Sequence, residues 1–370
     1  MPQDVCFFLP FAARTNPEAE RARERHLDWA VGHGLVRGAA AIRRYRAWRL
    51  TDLAAYAYPD VTGEDLDLVT DAVCLGFPLD DQVGGPPRLP PERTAWLTTE
   101  LAAIPYRVPG TAPRLDLPLT RAYADVWQRC AAGMSPWWRE RAARNLTRFF
   151  RSCLQEAQNR HLGVRLREDD YIELRRQAVG TAPCFDLIER AGHCEVPAAA
   201  YWSREMRAMT RYAGDVVFLC NDVHSAEREE ADGDPHNLVL IRQRDLGCSR
   251  AEAIGQVAGL VRDRVEAFLR VAATVPDLHA DWRLDARGAA AVERYLGGLR
   301  AWMIGNQLWG VASARYAPNG EHAAPGVLPG AAVAAGAGVP GQVAGAPPRA
   351  VTGRGSAPAP APPAGPRHVA

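Results

Sequence analysis

Apolar residues recur at three- and four-residue intervals along most of the first 316 positions. Segments 17–34 (PEAERARERHLDWAVGHG), 64–77 (EDLDLVTDAVCLGF), 136–160 (PWWRERAARNLTRFFRSCLQEAQNR), 169–180 (DDYIELRRQAVG) and 249–275 (SRAEAIGQVAGLVRDRVEAFLRVAATV) all carry this spacing, which gathers the apolar side chains on one helix face. Turn-forming clusters interrupt them: GGPPRLPPER at 84–93, RVPGTAPRLDLP at 107–118 and DGDPHN at 232–237. No series of runs alternates with strand periodicity, and there is no internal repeat of about 20–50 residues. The pattern predicts an all-α domain of about ten helices over residues 1–316. After Tyr316 the composition changes. Residues 317–370 are dominated by Ala, Gly and Pro and contain no Phe, Trp, Tyr or Met. Such a stretch buries too little apolar surface to offset its ordering entropy, so a disordered tail is expected.

Charge and composition remove several classes of function. The 370-residue chain has a net charge of +1, which gives no general attraction to nucleic acid or acidic lipid. All 44 of its Lys+Arg residues are Arg. A P-loop lysine, a Schiff base and a PLP anchor are therefore excluded, and any phosphate must be held by arginine, metal or backbone. The 8 cysteines are scattered without a CxxC pair, so reduced, buried thiols are expected rather than disulfides or zinc. The first residues, MPQDVCFFLPFAART, lack the basic start and apolar core of a signal peptide. No window supplies about 18 uninterrupted apolar residues for a membrane span. A cytoplasmic protein without membrane insertion is expected.

Four places carry candidate chemistry. Asp80 and Asp81 end an apolar helical stretch just before Gly84-Gly85-Pro86-Pro87. Two carboxylates at a helix C-terminus oppose the helix dipole; a hard cation such as Mg²⁺ would relieve this, although Asp before Gly and Pro is also ordinary turn chemistry. Asn221, Ser225 and Glu229 lie four residues apart, so amide, hydroxyl and carboxylate oxygens form one stripe. They are either a ladder for a cation or a helix surfacing into solvent. Trp302, Trp309 and Tyr316 recur every seven residues and share a face, as core packing or as a cavity wall. Arg175, beside Ile172 and Leu174, points inward, and a buried arginine needs an anion, to which its fork is suited.

In combination these features resemble a family. The opening FFLPFAARTNP, DDQVGG, DVWQRCAAGMSPWWRERAARN, EAQNR, YIELRRQAVG, NDVHSAERE and the terminal RY are similar, in order and spacing, to bacterial class I terpene cyclases of the pentalenene synthase type. The similarity spans about residues 1–316, and Asn221 follows Arg175 at the separation such enzymes keep. The resemblance implies a single helical domain and a prenyl diphosphate substrate. It implies three Mg²⁺ ions, two bound by Asp80 and one by Asn221, Ser225 and Glu229. Asp81 belongs to the metal-binding acids or supports Asp80 by pairing with an arginine. Arg175, Arg228, Arg315 and Tyr316 would contact the diphosphate, Arg228 standing where relatives often carry lysine. The backbone carbonyl of Val179 would assist ionisation. Phe77, Trp302, Trp309 and Phe218 are candidate cation-stabilising rings. The chain departs from the pattern at Gly84, where a third acid is usual, and at Gly310, where the pentalenene type has histidine.

The resemblance favours farnesyl diphosphate, cyclised to a sesquiterpene with release of diphosphate. Small residues at Gly76 and Gly310, if they face the cavity, would deepen it toward a geranylgeranyl substrate. A degenerate, non-catalytic relative is a further alternative, supported by Gly84. A chain-elongating prenyltransferase would use two aspartate-rich motifs, and the second here is Asn/Ser/Glu. A monomer or homodimer is expected.

Overall fold

The computed structural model describes residue 5 and residues 7–316, all in one compact unit. The expected tail, 317–370, lies outside the described residues. Fifteen α-helices succeed one another with no strand among the described residues. They are α1 (Ala19–Gly32), α2 (Ala39–Ala47), α3 (Leu50–Ala57), α4 (Gly63–Val83), α5 (Pro91–Ala103), α6 (Pro118–Ala131), α7 (Pro136–Leu162), α8 (Glu168–Ala178), α9 (Thr181–Ala191), α10 (Ala198–Tyr201), α11 (Arg204–Ala231), α12 (Leu238–Leu246), α13 (Arg250–Ala272), α14 (Val275–Leu278) and α15 (Ala286–Ala312). The all-α expectation holds, with more helices than the ten anticipated. The surplus comes from pieces such as α10 and α14, of four residues each, too short to display a helical period.

Local chemistry sets where the long helices start. Ser135, Ser203 and Asp285 cap α7, α11 and α15, each side chain accepting a backbone N–H from the first turn, as orphan donors at helix starts require. Ser249 and Glu252 form a reciprocal capping box at α13. The longest helices then pack by their apolar faces: α11 against α13 and α15, α15 against α3, and α4 against α3 and α6. Between α8 and α9 the chain breaks at Val179-Gly180. Gly180 has φ +75°, and a Cβ there would also sit 3.2 Å from the Phe149 ring, so glycine is favoured. Residues of α4, α7, the α8–α9 break, α11 and α15 line one central cavity.

Two buried ionic clusters tie the walls together. Asp71, fully buried on α4, receives His26 Nδ1 (2.8 Å), Arg129 (2.8 Å) and Arg25, and His26 Nε2 meets the Tyr45 hydroxyl at 2.7 Å. Arg141 is held by Asp186 and Glu189 and packs over the rings of Trp137 and Tyr201. Burial alone would raise the Asp71 carboxyl, but His26, Arg25 and Arg129 outweigh it and hold the group below the usual carboxylate range. A carboxyl with a depressed native pKa stabilises the fold above its unfolded pKa, and that stability is lost as pH falls through the native value. Urea midpoints are therefore expected to fall between pH 6 and pH 3. Asp71→Asn, less stable at pH 6, should flatten part of that fall; an unchanged slope would contradict the assignment.

Among the described residues no helix is long and apolar enough to cross a membrane. The seven described cysteines, Cys74 to Cys248, are all free thiols.

Candidate active site

The mouth of the cavity is built from two helix ends facing each other. On α4, Pro78, two residues before Asp80, removes the N–H that would bond the carbonyl of Cys74. Asp80 then opens into the cavity, with 64% of its side chain exposed. On α11, Asn221, Ser225, Arg228 and Glu229 line the same space. The two stripes that the sequence left as alternatives thus share one pocket.

Asp81 turns the other way. It is buried, with 6% of the residue exposed, and both its oxygens are taken: Oδ1 accepts from Arg228 (2.9 Å) and Arg315 (2.8 Å), and Oδ2 from Arg315 (3.2 Å). Of its two anticipated roles, the structure shows arginine pairing, and Asp81 is not among the residues lining the cavity. Arg315 Nη2 also reaches Asp80 Oδ2 at 3.0 Å, so one guanidinium spans the acid pair.

The opposite wall is a polar network. Arg175 Nη2 donates to Asn221 Oδ1 (2.8 Å) and its Nε to Asp222 Oδ1 (3.1 Å). Asp222 also accepts from the Tyr171 hydroxyl (2.6 Å) and the Leu238 N–H (3.0 Å). Asn221 Nδ2 donates to the Tyr316 hydroxyl at 2.8 Å, and Ser225 Oγ to the Asn221 carbonyl at 2.9 Å. Asn237 caps α12 with its oxygen, while its Nδ2 donates to Glu229 Oε2 (2.7 Å) and the Asp222 carbonyl (2.7 Å). Burial pushes the Glu229 carboxyl up to about 8 despite the charge of Arg175.

These donors fit a hard divalent cation. Asp80, Asn221, Ser225 and Glu229 offer only oxygen, and Glu229 is a desolvated carboxylate that a cation would favour ionised. Among the described residues no three His, Cys, Asp or Glu side chains cluster as a metal site, so an ion at the α11 stripe depends on the amide and hydroxyl as well.

Below this rim the cavity has a mostly apolar lining, with Thr181, Asn306 and Glu156 among it. Phe77, Trp302 and Trp309 line it, with Phe77 and Trp309 in ring contact at 5.2 Å and Trp309 and Tyr316 at 5.4 Å. The space between the atoms, with the open solvent at its mouth included, is about 1200 Å³. Val179 lines it at the α8–α9 break. Two expectations need correction. Phe218 is buried in the core and does not line the cavity; Val217, one residue and about 100° away on α11, does. Gly76 faces the cavity, but Gly310 does not: it is buried against the ring of His224.

Sequence reasoning missed Asn237, Asp222, Tyr171 and Arg160. Arg160 lines the cavity beside Gly84 and is held by Asp234 (2.9 Å). An Asn before the apolar run LVLI signals a helix cap, but its second bond to Glu229 depends on tertiary contact and leaves no mark in sequence.

Residues 71–267, more than half of the chain, match the model of terpene synthase family 2, C-terminal metal binding. The chain is 39% identical to pentalenene synthase of Streptomyces avermitilis over 86% of its own length and 94% of the relative's. It is 36% identical to a (-)-beta-caryophyllene synthase of Saccharothrix espanaensis, over 89% and 93% respectively. The crystal structure of germacradien-4-ol synthase from Streptomyces citricolor superposes with a TM-score of 0.75 at 34% identity, covering 84% of this chain and 99% of that one. Likeness of this extent in both sequence and fold makes the chain a member of the terpene synthase family.

Proposed function

We propose that the chain ionises farnesyl diphosphate and cyclises the cation to a sesquiterpene, releasing diphosphate. The observation that carries this reading is that Asp80 and the Asn221–Ser225–Glu229 stripe line one cavity whose remaining wall is mostly apolar. Asp80 would hold two Mg²⁺ ions and the stripe a third. Bound Mg²⁺ supplies Lewis-acid polarisation of the leaving diphosphate.

The chain's own residues do the rest. Arg175, Arg228, Arg315 and Tyr316 line the same cavity, the three guanidinium groups held there by Asn221, Asp81 and Asp80. Preorganised donors of this kind stabilise charge developing on the leaving group. Tyr171 and Asp222 hold Arg175 in place from behind, so its orientation costs little at the moment of reaction. Val179 lines the cavity at the helix break, and its carbonyl would offer a partial negative charge to the ionising substrate. Phe77, Trp302 and Trp309 line the cavity wall, and an aromatic face turned to an allylic cation contributes about 2 kcal/mol when desolvated. The apolar wall keeps out the water that would quench that cation.

The test is product analysis by gas chromatography after incubation with Mg²⁺ and, separately, geranyl, farnesyl and geranylgeranyl diphosphate. A cyclic C15 hydrocarbon or alcohol from the farnesyl substrate is expected. A product only from the geranylgeranyl substrate, or consumption of isopentenyl diphosphate, would overturn the reading.

Asn237 allows a second check. Asn237→Asp keeps the oxygen that caps α12 but replaces the amide donor with an acceptor facing Glu229. Loss of an outer partner of a metal-holding carboxylate typically costs about 10–100-fold in metal affinity or activity. The rate at limiting Mg²⁺ should fall by that factor while the far-ultraviolet circular dichroism stays that of the parent.

A further inference from the structure

Trp48 belongs to no motif and does not line the cavity, yet it contacts two residues that do. It follows the last residue of α2, where helix carbonyls have no intrahelical partner. Its carbonyl instead accepts from Trp309 Nε1 (3.1 Å) and Ser313 Oγ (2.8 Å), both from the C-terminal end of the fold. Ser313 Oγ in turn accepts the backbone N–H of Arg315 at 3.1 Å. The Trp48 indole lies against the Arg315 guanidinium, 4.8 Å from centroid to Cζ, and Phe77 faces the same group from 5.1 Å. Trp48 and Arg315 are both buried. The next residue, Arg49, is held at φ 51°, a left-handed conformation that costs a non-glycine residue free energy. That turn joins α2 to α3 and is fixed by an Arg49 Nε to Asp52 Oδ2 bond of 2.6 Å.

From this arrangement we infer that Trp48 is a positioning residue for diphosphate recognition, acting through Arg315. The inference rests on the proposed function. Stacking on an aromatic face uses none of the guanidinium N–H groups, so the indole holds Arg315 in place without occupying a donor. Those donors now bond Asp80 and Asp81. When Asp80 takes up a cation, Arg315 Nη2 is freed toward the anion, and the indole and Asp81 keep it at the rim. A more mobile arginine would lose that register. Through its carbonyl, Trp48 also ties the Trp309 ring of the cavity wall to the same turn.

The experiment is calorimetric titration of inorganic diphosphate in excess Mg²⁺ into the full chain, alongside thermal melts. Trp48→Leu keeps the backbone carbonyl and removes the ring face; it is expected to weaken diphosphate binding about 10-fold. Trp48→Phe, which restores a face, should come within about threefold of the parent. In an Arg315→Lys background, which lacks the planar group, Trp48→Leu should cause no further weakening. Should Trp48→Leu fail to fold, Trp48→Met takes its place in both backgrounds. A lowered Tm with parental diphosphate affinity, or the same loss in both backgrounds, would overturn the inference. A parent chain that bound no diphosphate would overturn the proposed function beneath it.

Discussion

Asp80→Ala and Asn221→Ala should each release inorganic diphosphate from farnesyl diphosphate and Mg²⁺ on the order of 10²–10³-fold more slowly than the parent chain. The two act from opposite sides of the mouth, and their structural costs differ, which separates chemistry from folding. Asp80 is mostly solvent-exposed and its one strong contact is Arg315, which retains Asp81 as a partner. Its removal should leave Tm near the parental value, since a half-exposed ion pair contributes about 0–1 kcal/mol. Asn221 bridges Arg175 and Tyr316. Its removal leaves a buried guanidinium N–H and a buried hydroxyl short of a partner, at about 1–3 kcal/mol. Loss of activity in both variants with loss of stability only in Asn221→Ala is the expected pattern. Equal rates in all three chains would leave the metal-holding assignment without support.

The parts of this site that the sequence displays are those carried by one helix. Asn221, Ser225 and Glu229 share a stripe because helical spacing alone puts them there, and Asp80 opens at a helix end marked by Gly and Pro. The structure adds what no single period encodes. Asp80 and Asp81 are adjacent in sequence yet have opposite fates, because successive helical residues point about 100° apart, one into the cavity and one under two arginines. Asn237 and Trp48 act across more than one helix, through a side-chain amide and a backbone carbonyl; such contacts have no local signature. Short helices such as α10 and α14 were invisible for the same reason that their four residues complete scarcely one turn. Gly84, read from sequence as a missing acid, proves to lie close to both Asp80 and Arg160: a Cβ there would stand 3.8 Å from Asp80 Oδ1 and from an Arg160 guanidinium nitrogen. An acid at 84 would thus meet a cation already held by Asp234.

Gly310→Ala should lower Tm by about 3–5 °C, the counterpart of an overpacking cost of about 2–3 kcal/mol in a domain of this size. A Cβ there would stand 2.5 Å from His224 Cδ2, 2.8 Å from Nε2 and 3.0 Å from Cγ. The ring cannot easily yield. It is buried, its Nε2 meets Gln307 Oε1 at 3.0 Å, and it is flanked edge-on by Phe7 and stacked on Tyr316. Pushing it would shift Tyr316 and the Asn221 bond with it, so activity should fall beyond what instability explains. Gly76→Ala is the control of opposite sign: no atom lies within 4 Å of a Cβ there, and within α4 alanine should stabilise by about 0.5–1 kcal/mol. Its methyl enters the cavity, so the product profile should change while the Tm rises slightly. In a His224→Ala background, Gly310→Ala should cost almost nothing, because the opposing ring is gone; an undiminished Tm loss there would mean that the contact limiting residue 310 is not His224.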